Sequence, residues 1–281
     1  MDFGEKILRG LNRTTMAPGD YIGADGLIYC GACGEAKQSL PPADNPMLAN
    51  LGPLHRACRC ERERDAQEER QRRRQEFARR MDSLAARFGI PDPRPVSGTF
   101  AGDDSPDSRA SAACRRYVEN WQEMRSNGVG ILFYGSVGTG KTFYAGAIVN
   151  ALLGRCVSAA VTSFPRLLNL LQSTPDRQKL IDHLSRYELL VIDDLGVEWD
   201  SSYAAEQVYA VIDARSRSGL PLIVTTNLTP DELRNPSSMQ YGRIYDRILE
   251  MCPVRLLLAG ESRRAGNARR RLELARELLS E

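Results

Sequence analysis

The sequence lacks the features of a membrane-spanning or exported protein. No uninterrupted apolar stretch in its 281 residues approaches the roughly 20 residues that a membrane span requires. The first ten residues, Met1 to Gly10, contain no apolar core segment of the kind found in signal peptides. We therefore expect a cytoplasmic protein with no membrane partner.

The chain also has a small net charge and an odd number of cysteines. Its 38 basic and 36 acidic residues leave a net charge of +2, but arginines cluster near 62–80 and 263–271, where basic faces could meet nucleic acid. Seven cysteines are present, and four of them group at positions 30, 33, 58 and 60. An odd and clustered set favours metal binding over a disulfide framework and indicates a reducing compartment.

A glycine-rich loop is the strongest signal in the sequence. The apolar run Ile131 to Tyr134 leads into G-x-x-x-x-G-K-T, and a helix-compatible stretch follows. This order of strand, loop and helix is the context of a P-loop, which binds a nucleoside triphosphate through backbone amides and its lysine. The loop consists of Gly135, Ser136, Val137, Gly138, Thr139, Gly140, Lys141 and Thr142. Lys141 would reach the β- and γ-phosphates, and the Thr142 hydroxyl would ligate Mg²⁺.

Polar residues follow two later strand-like runs. One run, from Leu189, ends in Asp193 and Asp194, which is the Walker B pattern. Asp193 would hold Mg²⁺ opposite the P-loop threonine, and Asp194 would orient or deprotonate the attacking water. Asn227 follows the second run. Because ligands gather at the carboxyl ends of the strands in open α/β sheets, Asn227 can reach the γ-phosphate or the water.

The four grouped cysteines predict a zinc site near the amino terminus. The stretch from Cys30 to Gly34, Cys-Gly-Ala-Cys-Gly, is similar to a zinc knuckle, and a second half follows at residues 55–60. Four soft ligands suit tetrahedral Zn²⁺, which would replace the core that so short a segment cannot build. We favour Cys30, Cys33, Cys58 and Cys60 as the ligands. Because Cys58-x-Cys60 is a tight spacing, His55 could replace one of the second pair.

Composition divides the chain into three parts. Residues 1–88 form a zinc-binding and helical module, 89–108 form a linker rich in proline, glycine, aspartate and serine, and 109–281 form the nucleotide-binding domain. Residues 61–88 contain no glycine or proline and predict one long helix, whose second part carries an apolar stripe. The stripe consists of Phe77, Met81, Leu84, Ala85 and Phe88. It would pack on a neighbouring helix or domain, with a partner protein as the alternative.

Strands and helices alternate from about residue 110 onward. This alternation predicts an α/β fold with a parallel five-stranded sheet and helices on both faces. The predicted strands are 131–134, 156–161, 189–192, 221–225 and 254–258. The predicted helices are 110–124, 143–153, 167–172, 203–217, 241–251 and 267–279, with a capped turn at 231–233.

These motifs together resemble the AAA+ ATPases. The resemblance rests on residues 135–142, on Ile192-Asp193-Asp194-Leu195-Gly196 with Glu198, and on Thr225-Thr226-Asn227. Within that group the chain is similar to the bacterial helicase loaders of the DnaC and DnaI type and to their transposition relatives, the IstB proteins. The similarity covers roughly residues 110–265.

The resemblance implies further site residues. It makes Asn227 the sensor 1 residue and places an arginine finger in the segment 241–247, where Arg247 aligns best and Arg243 lies one turn before it. It places the sensor 2 arginine in Gly260-Glu261-Ser262-Arg263-Arg264, with Arg264 as the better match. A cation beside the γ-phosphate stabilises charge in the transition state.

The resemblance also implies a function. It predicts an Mg²⁺-dependent ATPase that loads the replicative DNA helicase hexamer onto single-stranded DNA and self-associates through the arginine finger. Two departures matter: Asp194 stands where many relatives have Glu, so hydrolysis would be slow, and the chain has no room for a full helical lid. Ser163, Phe164 and Arg166 offer a hydroxyl, a ring and a cation for single-stranded DNA, although Phe164 also suits a core position.

Two rival functions fit the same motifs. One is an IstB-like transposition helper ATPase that assembles on duplex DNA and recruits a transposase. The cysteine group argues against it. The other is a helicase-binding module that uses ATP as a switch with little turnover.

Overall fold

The computed structural model describes residues 15–41, 52–88, 98–196, 202–236, 238–260 and 262–279. For residues 80–88, 202–203, 264–270 and 274 it describes the backbone alone. The chain divides into two compact units, Met1–Glu76 and Phe77–Glu281.

The first unit contains two small antiparallel hairpins and the start of a long helix. Strand β1 (Tyr21–Ile22) pairs with β2 (Ile28–Tyr29), and β3 (Gln38–Ser39) pairs with β4 (Leu54–His55). Helix α1 (Arg59–Phe88) follows, in agreement with the long helix that composition predicts. Two-stranded hairpins are marginal by themselves, so this unit depends on additional cross-links.

A buried ion cluster supplies one of those cross-links. Lys37 is 4% exposed, and its Nζ lies 2.8 Å from Asp20 Oδ2 and 3.1 Å from Glu61 Oε1. The hydrogen bond to Asp20 raises the pKa of Lys37 to about 12. Asp20 also accepts hydrogen bonds from the backbone amides of Ala17 and Gly31. The cluster therefore joins the turn before β1, the segment after β2 and the first turn of α1.

The second unit is built on a five-stranded parallel sheet, as the sequence predicts. Its strands are β5 (Ile131–Tyr134), β6 (Ala159–Ser163), β7 (Leu189–Leu195), β8 (Leu222–Thr226) and β9 (Val254–Leu257). They lie in the order β6-β7-β8-β5-β9, and every neighbouring pair is parallel.

Helices connect these strands and follow the last of them. They are α2 (Arg109–Glu119), α3 (Trp121–Ser126), α4 (Lys141–Leu153), α5 (Phe164–Ser173), α6 (Arg177–Ser185), α7 (Ser202–Ser218), α8 (Pro230–Arg234), α9 (Met239–Met251) and α10 (Arg263–Leu279). After β9 the described chain continues into α10. No helix in the described ranges has the length and apolar character needed to cross a bilayer.

Alternate strand residues build two cores on opposite faces of the sheet. Ile131 and Phe133 of β5 contribute to a core formed with α2 and α4, whereas Leu132 contributes to a core formed with α5, α6, α7 and α9. Successive side chains of a strand point to opposite faces, so a continuous apolar run buries both. Phe77, the first residue of this unit and of the predicted stripe, packs against the second core.

A buried arginine links the starts of two strands at the end of the sheet opposite the P-loop. Arg215 of α7 is 0% exposed and donates only to backbone carbonyls among the described residues. Its guanidinium contacts the carbonyls of Ser185, Tyr187 and Glu188, before β7, and that of Pro221, before β8. One side chain therefore joins the starts of two neighbouring strands to α7.

The segment from Gly98 to Ser108 differs from the flexible linker that composition predicts. It includes a 3₁₀ turn, Phe100–Gly102, and contacts α4 directly. Asn150 Nδ2 donates to the Gly98 carbonyl at 2.6 Å, and the Tyr144 hydroxyl donates to Asp103 Oδ1 at 3.2 Å. Polar side chains of α4 thus hold this segment in place, which local composition could not reveal.

Candidate functional site

The glycine loop joins β5 to α4 through backbone conformations that favour glycine. Helix α4 begins at Lys141, and Gly140 precedes it with a φ of +102°, in the left-handed region. A Cβ added to Gly135, whose φ is +138°, would lie 2.2 Å from the backbone oxygen of Leu258. Glycine is required at both positions, because L-residues with a side chain rarely adopt these angles.

Lys141 is the centre of a polar group at the carboxyl end of the sheet. It is 6% exposed, and its Nζ lies 2.8 Å from each of three oxygens: the carbonyls of Gly135 and Ser136 and Oδ1 of Asn227. Asn227 follows β8 directly and is exposed. The structure therefore brings together the P-loop lysine and the residue predicted as sensor 1, although 86 positions separate them.

Thr142 and Asp193 meet beside the lysine. The Thr142 hydroxyl lies 3.0 Å from both carboxylate oxygens of Asp193, at the end of β7. Burial raises the pKa of Asp193, and the nearby charge of Asp194 adds to that effect. A hydroxyl and a carboxylate are hard oxygen ligands of the kind that Mg²⁺ prefers, and a cation here would offset the cost of burying the carboxylate.

Asp194 has an unusual backbone conformation. Its φ is +57°, and the pairing of β7 with β8 shifts register between Ile192 and Leu195. A non-glycine residue in the left-handed region is strained, and such residues cluster at functional sites. The bulge leaves the Asp194 side chain exposed next to the half-buried Asp193. The two acids predicted to have different roles thus have different environments.

Sequence reasoning missed a cation that lies against the P-loop. The backbone amide of Arg263, at the start of α10, donates to the Gly138 carbonyl at 2.9 Å. A Cβ added to Gly140 would lie 3.3 Å from Arg263 Cζ. The guanidinium pairs with Asp104 Oδ1 at 2.9 Å and lies 5.4 Å from the ring centre of Tyr144. The segment match favoured Arg264 instead, whose side chain is outside the described residues.

The predicted arginine finger is held within its own chain. Arg247 Nη2 lies 2.8 Å from Asp213 Oδ1 and donates to the Tyr209 hydroxyl at 3.0 Å. The hydrogen bond to Tyr209 raises the pKa of Arg247 above its usual value. Arg243, one turn earlier on α9, is exposed, and its side chain makes no hydrogen bond or ion pair with the described part of the chain. Glu198 lies outside the described residues.

Three of the predicted zinc ligands lie together. The sulfur atoms of Cys30, Cys33 and Cys58 are all within 4.8 Å of one another. Hydrogen bonds from the backbone amides of Glu35 and Cys60 lower the pKa of Cys33 to about 6, which favours the thiolate that binds metal.

The fourth predicted ligand, Cys60, is also close to this group. A hydrogen bond with the side chain of Cys33 raises the pKa of Cys60 to about 11. The alternative ligand, His55, has its Nε2 3.9 Å from Glu61 Oε2. Neither Cys60 nor His55 belongs to the group of described ligand atoms that all lie within 4.8 Å of one another. Three soft sulfur donors at this separation fit Zn²⁺.

The side chains suggested for contact with single-stranded DNA have separate environments. Phe164 is 0% exposed and belongs to the core with α6 and α7, which confirms the core reading of this ring. Ser163 caps α5 by accepting a hydrogen bond from the Arg166 amide at 3.4 Å. Only Arg166, which is exposed, is left to face a ligand.

Comparison with known proteins identifies relatives of the P-loop unit. The profile described as "IstB-like ATP binding protein" matches residues 64–270, about three quarters of the chain. "Replicative helicase loader DnaC" of Escherichia coli (strain K12) is 31% identical over 144 residues, which cover 50% of this chain and 56% of that protein. "Replicative helicase loader DnaI" of Bacillus subtilis (strain 168) is 29% identical over 162 residues, covering 53% and 51%.

These similarities are partial in length. The chain spans about half the length of the curated relatives it matches. A solved structure titled "Crystal Structure of the DnaI" matches with a TM-score of 0.50 and 23% identity, covering 60% of this chain and 91% of that one. This structural match supports the fold of the second unit.

Proposed function

Because the chain belongs to the family of IstB-like ATP binding proteins, we propose that it binds ATP with Mg²⁺ at the P-loop and hydrolyses it. The observation that carries this proposal is the group formed by Lys141, Thr142, Asp193 and Asn227. Nζ of Lys141 lies 2.8 Å from Asn227 Oδ1, and the Thr142 hydroxyl lies 3.0 Å from Asp193. Lys141 and Thr142 begin α4, and Asp193 and Asn227 lie at the carboxyl ends of their strands. All four meet at the edge of the parallel sheet where phosphate groups bind in P-loop proteins.

Each member of the group has a proposed role. Lys141 binds the β- and γ-phosphates, and Thr142 with Asp193 would hold Mg²⁺, which when bound neutralises charge on the phosphates. Asp194 polarises the attacking water from its exposed position. Asn227 senses the γ-phosphate and is already within reach of the lysine. Arg264 remains the proposed sensor 2 residue, the cation that would stabilise charge on the γ-phosphate in the transition state.

Nucleotide titration tests this site directly. The fluorescent analogue mant-ATP should bind the wild-type protein with Mg²⁺, and Lys141→Ala should weaken binding at least about 100-fold, because charge-assisted bonds to phosphate are lost. Lys179→Ala is the matched control, since within the described ranges the side chain of this exposed lysine forms an ion pair with Asp176 alone. Equal binding by the two variants would contradict the proposed site.

We further propose that Cys30, Cys33, Cys58 and Cys60 bind one Zn²⁺. Elemental analysis should give one zinc per chain. Cys33→Ser should lose the metal, whereas Cys156→Ser, in the turn between α4 and β6, should keep it. If the Cys33→Ser variant still binds zinc, Cys33 is not a required ligand, and the next ligand set to test is one that includes His55.

ATP turnover is proposed to be slow and to depend on assembly. Asp194 is shorter than glutamate, and Arg247 must leave Asp213 and Tyr209 before it can act on a neighbouring subunit. Turnover per chain should therefore rise with protein concentration, while nucleotide affinity stays constant. Turnover that is independent of concentration would argue against an arginine supplied in trans.

The proposed biological role is loading of a replicative DNA helicase hexamer onto single-stranded DNA. The named relatives are replicative helicase loaders, which supports this role for the shared half of the chain. In this proposal residues 1–88 bind the helicase, 89–108 link the parts, and 109–281 couple nucleotide state to DNA capture. Native mass spectrometry with a bacterial replicative helicase should detect a complex that is lost when residues 1–88 are removed.

The family description also supports a second candidate. The chain belongs to the IstB-like ATP binding proteins, and a transposition helper ATPase, the alternative that the resemblance implies, would assemble on duplex DNA rather than on a helicase. Oligomers that form with duplex DNA, together with no helicase complex, would favour it. A helicase complex that forms with ATP but is unaffected by Asp194→Ala would instead favour a switch with little turnover.

A further inference from the structure

We propose that Thr225 is a positioning residue that sets the geometry of both acidic residues at the end of β7. The proposal rests on the proposed ATP site and concerns how that site obtains its affinity for Mg²⁺. Thr225 is neither a P-loop residue nor a proposed metal ligand. Its hydroxyl hydrogen-bonds to the carboxylate of Asp193 and to the backbone amide of Asp194.

Thr225 uses its hydroxyl both as a donor and as an acceptor. The side chain is 0% exposed and lies on β8, next to β7. Its Oγ1 donates a hydrogen bond to Oδ1 of Asp193 and accepts a hydrogen bond from the backbone amide of Asp194 at 2.9 Å. A hydroxyl has one proton to donate and lone pairs to accept, so these two bonds are mutually compatible.

The bulge in β7 explains why such a residue is needed. Between Ile192 and Leu195 the register of β7 against β8 shifts, which interrupts the regular backbone ladder there. The amide of Asp194 would then lack a partner on β8, and the Thr225 hydroxyl supplies one. The same bond supports the left-handed conformation of Asp194, since strained backbone persists only where neighbouring groups hold it.

Asp193 is oriented from two sides. Thr142 donates to it from α4, and Thr225 donates to it from the sheet. Thr142 is itself a proposed ligand of Mg²⁺, so Thr225 is the hydroxyl that can keep the carboxylate oriented while the metal is bound. Groups that hydrogen-bond to metal ligands commonly change metal affinity by about 10- to 100-fold when removed.

The next residue offers a matched control. Thr226 is also 0% exposed, and its hydroxyl donates to the Leu195 carbonyl at 2.8 Å and accepts from the Leu228 amide at 3.0 Å. Among the described residues its hydroxyl forms hydrogen bonds with backbone groups alone. Thr225→Val and Thr226→Val therefore each remove one buried hydroxyl from the same strand, but only the first removes a bond to an acid.

The experiment measures mant-ATP binding as a function of Mg²⁺ concentration, together with binding in EDTA and thermal unfolding. Thr225→Val should raise the Mg²⁺ concentration for half-maximal enhancement of binding about tenfold or more, with affinity in EDTA unchanged. Thr225→Ser, which keeps the hydroxyl, should restore the wild-type value. Thr226→Val should lower the unfolding temperature without changing the response to Mg²⁺.

The outcomes separate this proposal from the one it rests on. Thr225→Val with a wild-type response to Mg²⁺, or with the same response as Thr226→Val, would overturn the positioning role. If Thr225→Val does not fold, Thr225→Ala, which leaves room instead of adding a methyl group, is compared with Thr225→Ser by the same criterion. A wild-type protein whose ATP binding ignores Mg²⁺ would overturn the proposed function itself and the positioning role with it.

Discussion

Replacing Asp213 by asparagine should increase the assembly-dependent ATPase activity. Arg247 is the proposed trans-acting cation, and in the single chain it pairs with Asp213 at 2.8 Å. The Asp213→Asn variant keeps the shape of the side chain but removes the charge. Arg247 should then be released more readily toward the nucleotide of a neighbouring subunit.

The size of the effect follows from the exposure of the pair. The side chains of Arg247 and Asp213 are 32% and 14% exposed, so water screens their attraction only in part. Fully exposed pairs contribute about 0.2–1 kcal/mol, and we take the upper value, about 1 kcal/mol, for this half-buried one. Because about 1.4 kcal/mol is a factor of ten, turnover at a fixed, subsaturating protein concentration should rise up to about fivefold. The hydrogen bond to Tyr209 remains and limits the gain.

The assay is steady-state ATP hydrolysis over a range of protein concentrations. Asp231→Asn is the matched control, because Asp231 pairs with Arg234 on the surface of α8 and contacts no proposed site residue. The double variant Asp213→Asn/Arg247→Ala should lose the gain. An unchanged or lower hydrolysis rate for Asp213→Asn would refute this reasoning, and so would a double variant that keeps the higher rate. Arg243 would then be the next candidate for the arginine finger.

Other expectations concern the same sites. Arg263→Ala should weaken mant-ATP binding about tenfold, because the guanidinium lies against Gly140, and affinity equal to wild type would exclude it from the nucleotide site. The variants Asp194→Ala and Asp194→Gly should both bind ATP but hydrolyse it at least about 100-fold more slowly. Hydrolysis at the wild-type rate would show that Asp194 has no catalytic role. Of these two, the glycine variant should be more stable by about 1 kcal/mol in urea unfolding, because the φ of +57° is strained for alanine. Removing zinc with a chelator should make residues 15–41 and 52–76 sensitive to protease, while the second unit still binds ATP. If ATP binding were lost together with protease resistance, the two units would not be independent.

The sequence predicts the sheet and the P-loop well because their signals are local. Apolar runs such as Leu189–Ile192 are buried on both faces of a parallel sheet, so the run itself identifies the strand. The glycine, lysine and threonine spacing defines a loop whose conformation depends mainly on its own residues. The meeting of Lys141 with Asn227 could also be expected, since parallel strands end at one edge of the sheet.

Other features depend on contacts that no local pattern encodes. Arg247 has the right motif for an arginine finger, but its partner Asp213 lies on another helix. Arg263 reaches the P-loop because β9 brings the start of α10 beside it, a proximity that only the assembled sheet creates. Thr225 looks like an ordinary β-branched strand residue, and the bulge in β7 gives its hydroxyl a role.

Some elements were missed although a signal existed. The helix Arg177–Ser185 is capped by Asp176, which accepts from the Lys179 amide at 3.1 Å, and it buries Leu180, Ile181 and Leu184. A cap followed by this apolar spacing is a recognisable helix start. Conversely, the predicted helix 110–124 is divided at Asn120, whose Nδ2 donates to the Arg116 carbonyl at 2.8 Å and competes with the continuing helix.

The guanidinium of Arg215 has a consequence for how the second unit unfolds. Its donors are satisfied only while the carbonyls at the end of α6, before β7 and before β8 all surround it. If any one of these segments separated, a buried positive charge would lose partners that no described carboxylate replaces. Partly unfolded states at this end of the sheet are therefore costly, and the neighbouring strands should unfold together with α7 as one cooperative block. Native-state hydrogen exchange would show that block as amides of β7, β8 and α7 that share a single opening free energy.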